Sequence, residues 1–168
     1  MKKLRSFLVT SICMVAVLFC AMTLKAEAGN VRTGTIGENN GITWTYDEDT
    51  KTLTITGEES GLEGIYDSAI WSLKSPFAAI CEDVEVIKVQ NCTLTESAFG
   101  IFAGLESLKR IEFQNFDTSK VKWIAYMFLD CSSLSSVDVS NFDTSNVTSL
   151  NGMFQGCSSL SSVDVSNF

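Results

Sequence analysis

Residues 127–142, MFLDCSSLSSVDVSNF, return almost unchanged as residues 153–168, MFQGCSSLSSVDVSNF. Cys131 thus recurs as Cys157, and only two of sixteen positions differ between the two stretches. Self-similarity at a fixed period of roughly 20–50 residues is typical of arrays in which each unit stacks on its neighbour. This pattern therefore predicts a repeat architecture, and it outweighs any local motif.

Fainter copies of the repeat precede the two strong ones. Divergent sequences are expected in the first units, because a terminal unit covers the core on one side and is not covered on both sides. We predict three units and the opening of a fourth, with a period of 24–26. The alignment places Leu134 with Leu108, Val137 with Ile111 and Ile87, Val139 with Phe113 and Val89, and Asn141 with Asn115 and Asn91.

Within a unit, apolar and polar residues alternate over Ser136–Ser140. This period of two predicts a short strand that turns Val137 and Val139 inward and exposes the residues between them. No unit can bury its apolar side alone, so the units must stack. The predicted repeat core comprises Cys131, Leu134, Val137, Val139, Phe142, Val147, Met153, Phe154 and Cys157.

The segment that follows, Asn-Phe-Asp-Thr-Ser-Asn-Val at 141–147, predicts a turn. Asp143 is suited to cap a following turn of helix, because its carboxylate can accept bonds from free backbone N–H groups. Asn141 has equivalents at Asn91, Asn115 and Asn167. Stacked asparagines can bond to each other and to neighbouring backbone.

Residues 42–56 predict a β-hairpin that is distinct from the repeats. Ile42, Trp44 and Tyr46 alternate with threonines, a polar turn follows, and Leu53 and Ile55 alternate with threonines again. An exposed Trp-Tyr strand could stack on a sugar. We favour the alternative, in which these rings are core and the hairpin covers the open end of the array. Residues 62–80 predict a short helical connection that ends at Ser75-Pro76.

The start of the chain, residues 1–28, is typical of a secretory signal peptide. A basic start at residues 2–5 leads into an apolar run at 7–24, and Ala26-Glu27-Ala28 fits a cleavage site. An uncleaved anchor is the alternative, since the apolar run approaches membrane-spanning length. The small-residue site favours cleavage. We therefore expect a secreted or bacterial cell-surface protein with no membrane insertion after cleavage.

Composition excludes several classes of function. The chain has no histidine, which removes Ser-His and Cys-His catalysis and histidine-ligated metals. Loss of residues 1–28 removes four of 12 basic and one of 20 acidic residues, which leaves a net charge of −11. Such a polyanion is repelled by nucleic acid and by anionic membrane surfaces. We therefore expect no nucleic-acid partner.

Four cysteines would remain after that cleavage. Cys131 and Cys157 share one repeat position, which Leu105 and Cys81 occupy in the earlier units. Alternation with leucine favours buried thiols, because free cysteine behaves as a small hydrophobe. Disulfides remain an alternative, although a spacing of about 4.8 Å between units is slightly long for paired Cβ atoms. Metal binding is the weakest interpretation, because there is no CxxC pair. The fourth cysteine is Cys92.

The pattern MFxxCSSLSSVDVSNFDTSNVTSLNGMF at 127–154 resembles the BspA-like leucine-rich repeat surface proteins of bacteria and some protists. GITWTYDEDTKTLTITGEESG at 41–61 resembles the hairpin that often opens such proteins. The resemblance covers about residues 34–168. It implies a β-rich α/β repeat fold, a leucine-rich repeat solenoid with short strands and helical turns behind an N-terminal β-hairpin cap. The domains would be a signal peptide at 1–28, a hairpin capping module at 29–75 and the solenoid at 76–168.

The resemblance also implies adhesion without catalysis, because the family motif brings no catalytic residues and no cofactor. The expected partners are host, matrix or other cell-surface proteins. The candidate binding face is an acidic, hydroxyl-rich stripe, although these residues could serve only to keep the strands soluble. Calcium is conceivable there, but two single acids form a poor cage. The face comprises Ser136, Asp138, Ser140, Ser162, Asp164 and Ser166.

The chain stops at Phe168, in the middle of a unit. Because stable arrays need a closing cap, we expect an N-terminal part of a longer repeat protein. The alternative function is that of a recognition arm or stalk for a larger secreted enzyme whose catalytic domain lies beyond Phe168. Further repeats and an anchor would favour the adhesin, and a catalytic motif would favour the arm.

Overall fold

A seven-stranded sheet is the main feature of the computed structural model, and two further strands pair separately. The described residues are 23–26, 30–36, 41–60, 65–67, 72–78 and 80–168. The sheet order follows the chain, β1-β2-β3-β4-β7-β8-β9. The strands are β1 (Thr23–Ala26), β2 (Val31–Ile36), β3 (Ile42–Asp47), β4 (Thr52–Ser60), β5 (Ile65–Asp67), β6 (Ser72–Lys74), β7 (Val86–Ser97), β8 (Arg110–Trp123) and β9 (Ser136–Val137).

The predicted hairpin is confirmed as β3 and β4, which pair antiparallel. Trp44 lies opposite Ile55 and Tyr46 opposite Leu53. All four of these side chains are buried, while the intervening Thr43 is exposed. The alternation therefore decides which face packs on the core, as expected for a half-buried strand.

Strands β4, β7, β8 and β9 pair in parallel, each with the next. Ile87 lies beside Ile111 and Val89 beside Phe113, as the alignment of the first two units predicts. Ile111 lies beside Val137, as the alignment of the next two predicts. The alignment of the first three repeat units is thus confirmed by the register of the sheet.

The strands of the first two units are longer than predicted. Strand β7 has 12 residues and β8 has 14, so β8 continues through the segment 115–119 that was expected to be a turn. Asn91 and Asn115 hold left-handed φ angles of 48° and 52° inside these strands. Asparagine tolerates this region, so the chain bends there while its hydrogen-bond ladder continues. In the last units the pairing shortens to Ser136–Val137.

The helical turns that the resemblance implies are wrong: no helix occurs in the described residues. The segments that follow the strands, residues 98–105, 124–131 and 150–157, consist of turns and are called the return segments here. Each return segment is a run of turns with left-handed φ angles at two places, one turn apart. A left-handed residue interrupts a right-handed helix, so none of these segments can propagate one. The left-handed places recur at the repeat period: Gly100, Tyr126 and Gly152 at 61°, 58° and 62°, and Gly104, Asp130 and Gly156 at 71°, 57° and 78°.

The helical connection predicted for residues 62–80 is also wrong in the described part. Strands β5 and β6 pair antiparallel there, with Tyr66 opposite Leu73. Nucleating a short helix fixes several residues for one hydrogen bond, and β-forming residues such as Ile65 and Tyr66 favour the extended alternative. Residues 61–64, 68–71 and 79 lie outside the described residues.

One hydrophobic cluster extends from Ile36 in β2 to Cys157 in the last unit. The hairpin and the repeat units therefore share a core as well as a sheet. Most of the predicted signal peptide lies outside the described residues, apart from β1, which pairs with β2. Among the residues described, no helix has the length and apolar character needed to cross a membrane. The domain boundaries stay a prediction.

Candidate binding face

The six residues of the candidate face are exposed, as the alternation of the repeat requires. Ser136 lies in β9, and Asp138 and Ser140 come shortly after it. Asp138 and Asp164 occupy equivalent places in successive units, and the charge of Asp138 acts on the pKa of Asp164 as a small raising influence. Asp138 and Asp164 are therefore equivalent exposed acidic positions of the last two units.

Each of these carboxylates also shapes its own turn. Oδ1 of Asp138 accepts a bond from the backbone N–H of Ser140, at 2.9 Å, and Oδ1 of Asp164 accepts one from Ser166, also at 2.9 Å. The Ser140 side chain and then its N–H lower the pKa of Asp138, whereas the N–H of Ser166 is the main cause of the lowered pKa of Asp164. Both carboxylates therefore stay ionised and keep lone pairs free for a partner.

A second pair of equivalent carboxylates was not predicted as part of a face. Oδ1 of Asp117 accepts the N–H of Ser119 at 2.9 Å, and Oδ1 of Asp143 accepts that of Ser145 at 3.0 Å. Bonds from the serine side chains, followed by these N–H bonds, lower the pKa of both aspartates. Asp143 therefore closes a side-chain turn and does not cap a helix. The recurring Asp-x-Ser triplet is the signal that could have found both pairs.

Charge is distributed unevenly along the units. Residues 123–168 contain four aspartates and no lysine or arginine. The last basic residues, Lys120 and Lys122, lie at the end of β8 and are exposed. Closer to the hairpin, Lys109 pairs with Glu85 at 2.7 Å across two units. The later units therefore present an acidic surface without internal compensation.

The predicted repeat core lies where the units stack. Val137, Val147 and Phe154 are partly buried and pack against the cluster. The other six residues are buried: Cys131, Leu134, Val139, Phe142, Met153 and Cys157.

All four cysteines of the described chain are free and buried. Cys131 Sγ donates to the carbonyl of Phe102 and Cys157 Sγ to that of Phe128, each at 3.1 Å. Burial raises the pKa of Cys131 to about 12 and also raises that of Cys157. These cysteines are core thiols, as their alternation with Leu105 indicated. Within the described residues, no group of three or more acidic or cysteine side chains is placed to hold a metal.

The asparagine ladder is present in part. Nδ2 of Asn115 donates to Oδ1 of Asn91 at 2.9 Å. Nδ2 of Asn167 bonds instead to three backbone carbonyls of the preceding unit, those of Val139, Ser140 and Phe142. Side-chain amides therefore link the units through each other at the start and through backbone at the end.

A polar network joins the hairpin to the first unit. The hydroxyl of Tyr46 donates to Oδ1 of Asp83 at 2.6 Å, and Lys51 pairs with the other carboxylate oxygen. The Arg32 guanidinium lies 5.0 Å from the centre of the Tyr46 ring. Because Tyr46 and Trp44 are buried, the alternative of an exposed sugar-stacking strand is wrong.

Comparison with known proteins gives one family. Residues 72–168 match the family model described as "Mycoplasma protein of unknown function, DUF285". No curated protein and no solved structure shows significant similarity to the chain.

Proposed function

The chain belongs to the DUF285 family, and we propose that it is a non-catalytic bacterial surface or secreted protein that binds other proteins through its repeat units. In this proposal the parallel units form a leucine-rich-repeat-type solenoid related to the BspA-like surface proteins. The hairpin β3–β4 caps one end of it, because β4 pairs directly with β7 of the first unit.

One observation supports a binding role above the others. The units stack in the register of the sequence repeat over β7, β8 and β9, and backbone bonds from residues 124–130 to residues 149–155 continue the stack into the last unit. Equivalent exposed groups therefore recur along one surface. Asp138 and Asp164 are one such set, and Ser140 and Ser166 are another. Extended repeat surfaces of this kind suit a large partner that makes many individually weak contacts.

The charge of the later units defines the chemistry of the partner. Four aspartates without a basic neighbour in residues 123–168 favour a basic protein surface over an acidic one. Such complementarity would accelerate encounter and would weaken as salt rises. Secretion by the predicted signal peptide at 1–28 would bring this surface to host, matrix or other cell-surface proteins.

The proposal is tested by surface plasmon resonance of the secreted chain against a panel of matrix and cell-surface proteins, with and without calcium. The informative variant combines Asp138→Asn with Asp164→Asn. Asparagine keeps the oxygen that accepts the turn N–H, so the variant removes charge and preserves the turns. The matched control combines Asp117→Asn with Asp143→Asn and removes the same charge from the second carboxylate pair.

We expect saturable binding to at least one basic ligand, weakened on the order of tenfold by the Asp138/Asp164 variant. The control variant should weaken it less. If no protein of the panel binds, the adhesin proposal fails. Equal weakening by both variants would show that binding depends on the net charge of the chain and not on the candidate face.

A further inference from the structure

The first strand of the sheet belongs to the predicted signal peptide. Strand β1 (Thr23–Ala26) pairs antiparallel with β2 (Val31–Ile36) along the side of β2 that faces away from the hairpin. The predicted cleavage after Ala28 would separate β1 from the rest of the chain. Strand β2 would then become the outermost strand of the seven-stranded sheet. Signal cleavage thus changes which strand forms the edge.

The backbone groups of β2 alternate between its two neighbours. The N–H of Glu48, just after β3, donates to the carbonyl of Asn30 at 2.8 Å, so Asn30 faces β3. Along an antiparallel ladder, residues that exchange backbone hydrogen bonds with one neighbour alternate with residues that do not. The backbone groups of Val31, Thr33 and Thr35 therefore face β1. We call these backbone donors and acceptors the β2 edge.

Strand β2 lacks the features with which proteins protect an exposed edge. Natural edge strands carry charges, prolines or bulges that oppose further pairing. The six residues of β2 include no proline, and their pairing with β3 runs without a register shift. The one charged residue of β2, Arg32, pairs with Glu48 at 2.8 Å and lies over the ring of Tyr46. The β2 edge is therefore a template for another extended segment.

The register of β1 indicates what an occupant of the β2 edge must provide. Leu24 lies opposite Gly34, which in turn lies opposite the buried Trp44. An apolar residue therefore suits the place opposite Gly34. Lys25 lies opposite Thr33, in the alternate row that belongs to the threonine face of the sheet. A polar or basic residue suits that place.

We propose that the β2 edge is a strand-binding site, which β1 covers in the precursor and which signal cleavage opens to an extended segment of a partner protein. The segment carries an apolar residue at the place of Leu24 and a basic residue at the place of Lys25. Backbone hydrogen bonds supply its affinity, and the two side-chain rows supply its specificity. This inference rests on the predicted cleavage and on the protein-binding role proposed above.

Charge favours a different protein over a second copy of this chain as the occupant. The cleaved chain has a net charge of −11, so two copies repel each other. The acidic residue Asp47 lies opposite Val31, at one end of the β2 edge. Strand β1 itself contains one lysine and no acidic residue. A basic extended segment therefore complements the β2 edge better than another β2 does.

The test compares amide hydrogen exchange, measured by NMR, in chains that begin at Ala21 and at Gly29. Both chains keep the hydrophobic cluster, which extends from Ile36 to Cys157. We expect exchange at Thr33 and Thr35 to be about tenfold or more faster in the chain that begins at Gly29.

A synthetic peptide of residues 22–27 serves as the probe for the open edge. Added in large excess to the chain that begins at Gly29, it should slow exchange at Thr33 and Thr35 by about tenfold. The matched control is the same peptide with Lys25→Pro, which lacks the N–H opposite Thr33 and should not slow exchange. Equal exchange in the two chains, no slowing by the probe, or equal slowing by the control would overturn the proposal.

Two further measurements examine the processing and the occupant. N-terminal sequencing of the secreted protein should find Gly29 first, and retention of residues 23–26 would overturn the proposal. Sedimentation of the chain that begins at Gly29 should find a monomer. If it finds a dimer that Thr33→Pro abolishes and Thr33→Val preserves, the occupant is a second copy and the proposal is wrong.

The same exchange measurement separates this proposal from the one on the acidic face. Asp138 and Asp164 follow β9, at the opposite end of the sheet order from β2. The variant that combines Asp138→Asn with Asp164→Asn should therefore leave the slowing by the peptide unchanged. If that variant abolished the slowing, the peptide would be bound by the acidic face and the β2 edge would be excluded.

Discussion

Tyr126 and Asp130 hold left-handed φ angles of 58° and 57° at positions where the neighbouring units have glycine. Left-handed backbone is unfavourable for residues with a Cβ atom, and Asp tolerates it better than most. Packing explains why Tyr126 persists: its ring meets Phe99 edge-on at 5.5 Å and lies against Gly152. The backbone angle of Tyr126 is therefore determined by packing between the repeat units more than by the conformational preference of tyrosine.

Gly156→Ala and Asp130→Gly test this geometry with opposite expected signs. A Cβ on Gly156 would meet the carboxylate of Asp130 and approach its Cα to 3.0 Å, at a φ of 78°. We expect Gly156→Ala to lower the free energy of unfolding by about 2 kcal/mol. Asp130→Gly should raise it by about 1 kcal/mol by relieving the left-handed residue. Equilibrium urea unfolding measures both, and a shared sign would contradict the argument.

Asp83 should give the protein part of its acid sensitivity. Hydrogen bonds from Lys51 and then from Tyr46 lower the pKa of Asp83 in the folded chain. The folded state therefore binds its proton less readily than the unfolded state, so the contribution is complete above about pH 4 and is lost as pH falls further. Urea midpoints measured from neutral pH down to pH 3 should fall less steeply for Asp83→Asn. If the urea midpoints of Asp83→Asn fell as steeply with pH as those of the unaltered chain, the lowered pKa of Asp83 would make no contribution to acid sensitivity.

At the residue scale, the burial of a side chain could be predicted only where equivalent positions of the repeat units can be compared. The alternation of Cys131 with Leu105 identified a buried thiol position, because the two residues occupy equivalent apolar positions of successive units. Nothing in the identity of Tyr126 indicates a left-handed angle. The Asp-x-Ser triplets could have predicted the side-chain turns, but a carboxylate that recurs in a repeat indicates a binding surface as readily as a turn.

At the scale of elements, side-chain ladders hold the return segments together in place of helices. Four phenylalanines stack along one line. A second aromatic group, Phe113, Phe116 and Phe142, packs within 4.9–5.4 Å between ring centroids. Because each ring contacts rings of the adjacent units, the stability of one unit depends on its neighbours.

Phe128→Ala and Phe154→Ala form a matched pair at one repeat position. Phe128 is fully buried between two rings, so its truncation should lower the free energy of unfolding by about 3–5 kcal/mol. Phe154 has a ring on one side only and is partly exposed, so we expect a loss of about 1–2 kcal/mol. Urea unfolding measures the loss of unfolding free energy in each variant. Equal losses would contradict the stacking of Phe128 between two phenylalanine rings.

The buried thiols should react slowly and in a definite order. Burial raises the pKa of Cys81, Cys92 and Cys131 to about 12 each, and only the thiolate attacks an alkylating reagent. Cys157, at 9% exposure, lies nearest the surface. Mass spectrometry after brief alkylation should find Cys157 modified first, and all four modified at once in urea. Fast native modification of Cys131 would contradict its burial.

Elements were predictable in proportion to their periodicity. The hairpin alternates strictly, so its strands and turn followed from sequence. The length of β7 and β8 did not, because the asparagine-centred bends at Asn91 and Asn115 look like strand ends. The connection at 62–80 was misassigned for a related reason: its loosely spaced apolar residues fit a helix pattern too short to be stable.

At the scale of the whole molecule, the seven-stranded sheet of the described residues changes character along the chain. Antiparallel pairing in β1–β4 gives way to parallel pairing from β4 onward, and a single hydrophobic cluster crosses that junction. The repeat period predicted the parallel half, because a fixed offset in sequence becomes a fixed register in space. It could not predict that the hairpin joins the same sheet, since that depends on the edge of β4.

The central claim is that successive units stack in register at the repeat offset. Arg110 and Ser136 are equivalent positions of two successive units, are paired in β8 and β9, and are both exposed. Nitroxide labels placed by Arg110→Cys and Ser136→Cys, attached while the native thiols remain buried, give the most direct test. The stack predicts an electron paramagnetic resonance spectrum strongly broadened by spin–spin coupling. A spectrum equal to the sum of the two singly labelled proteins would contradict it.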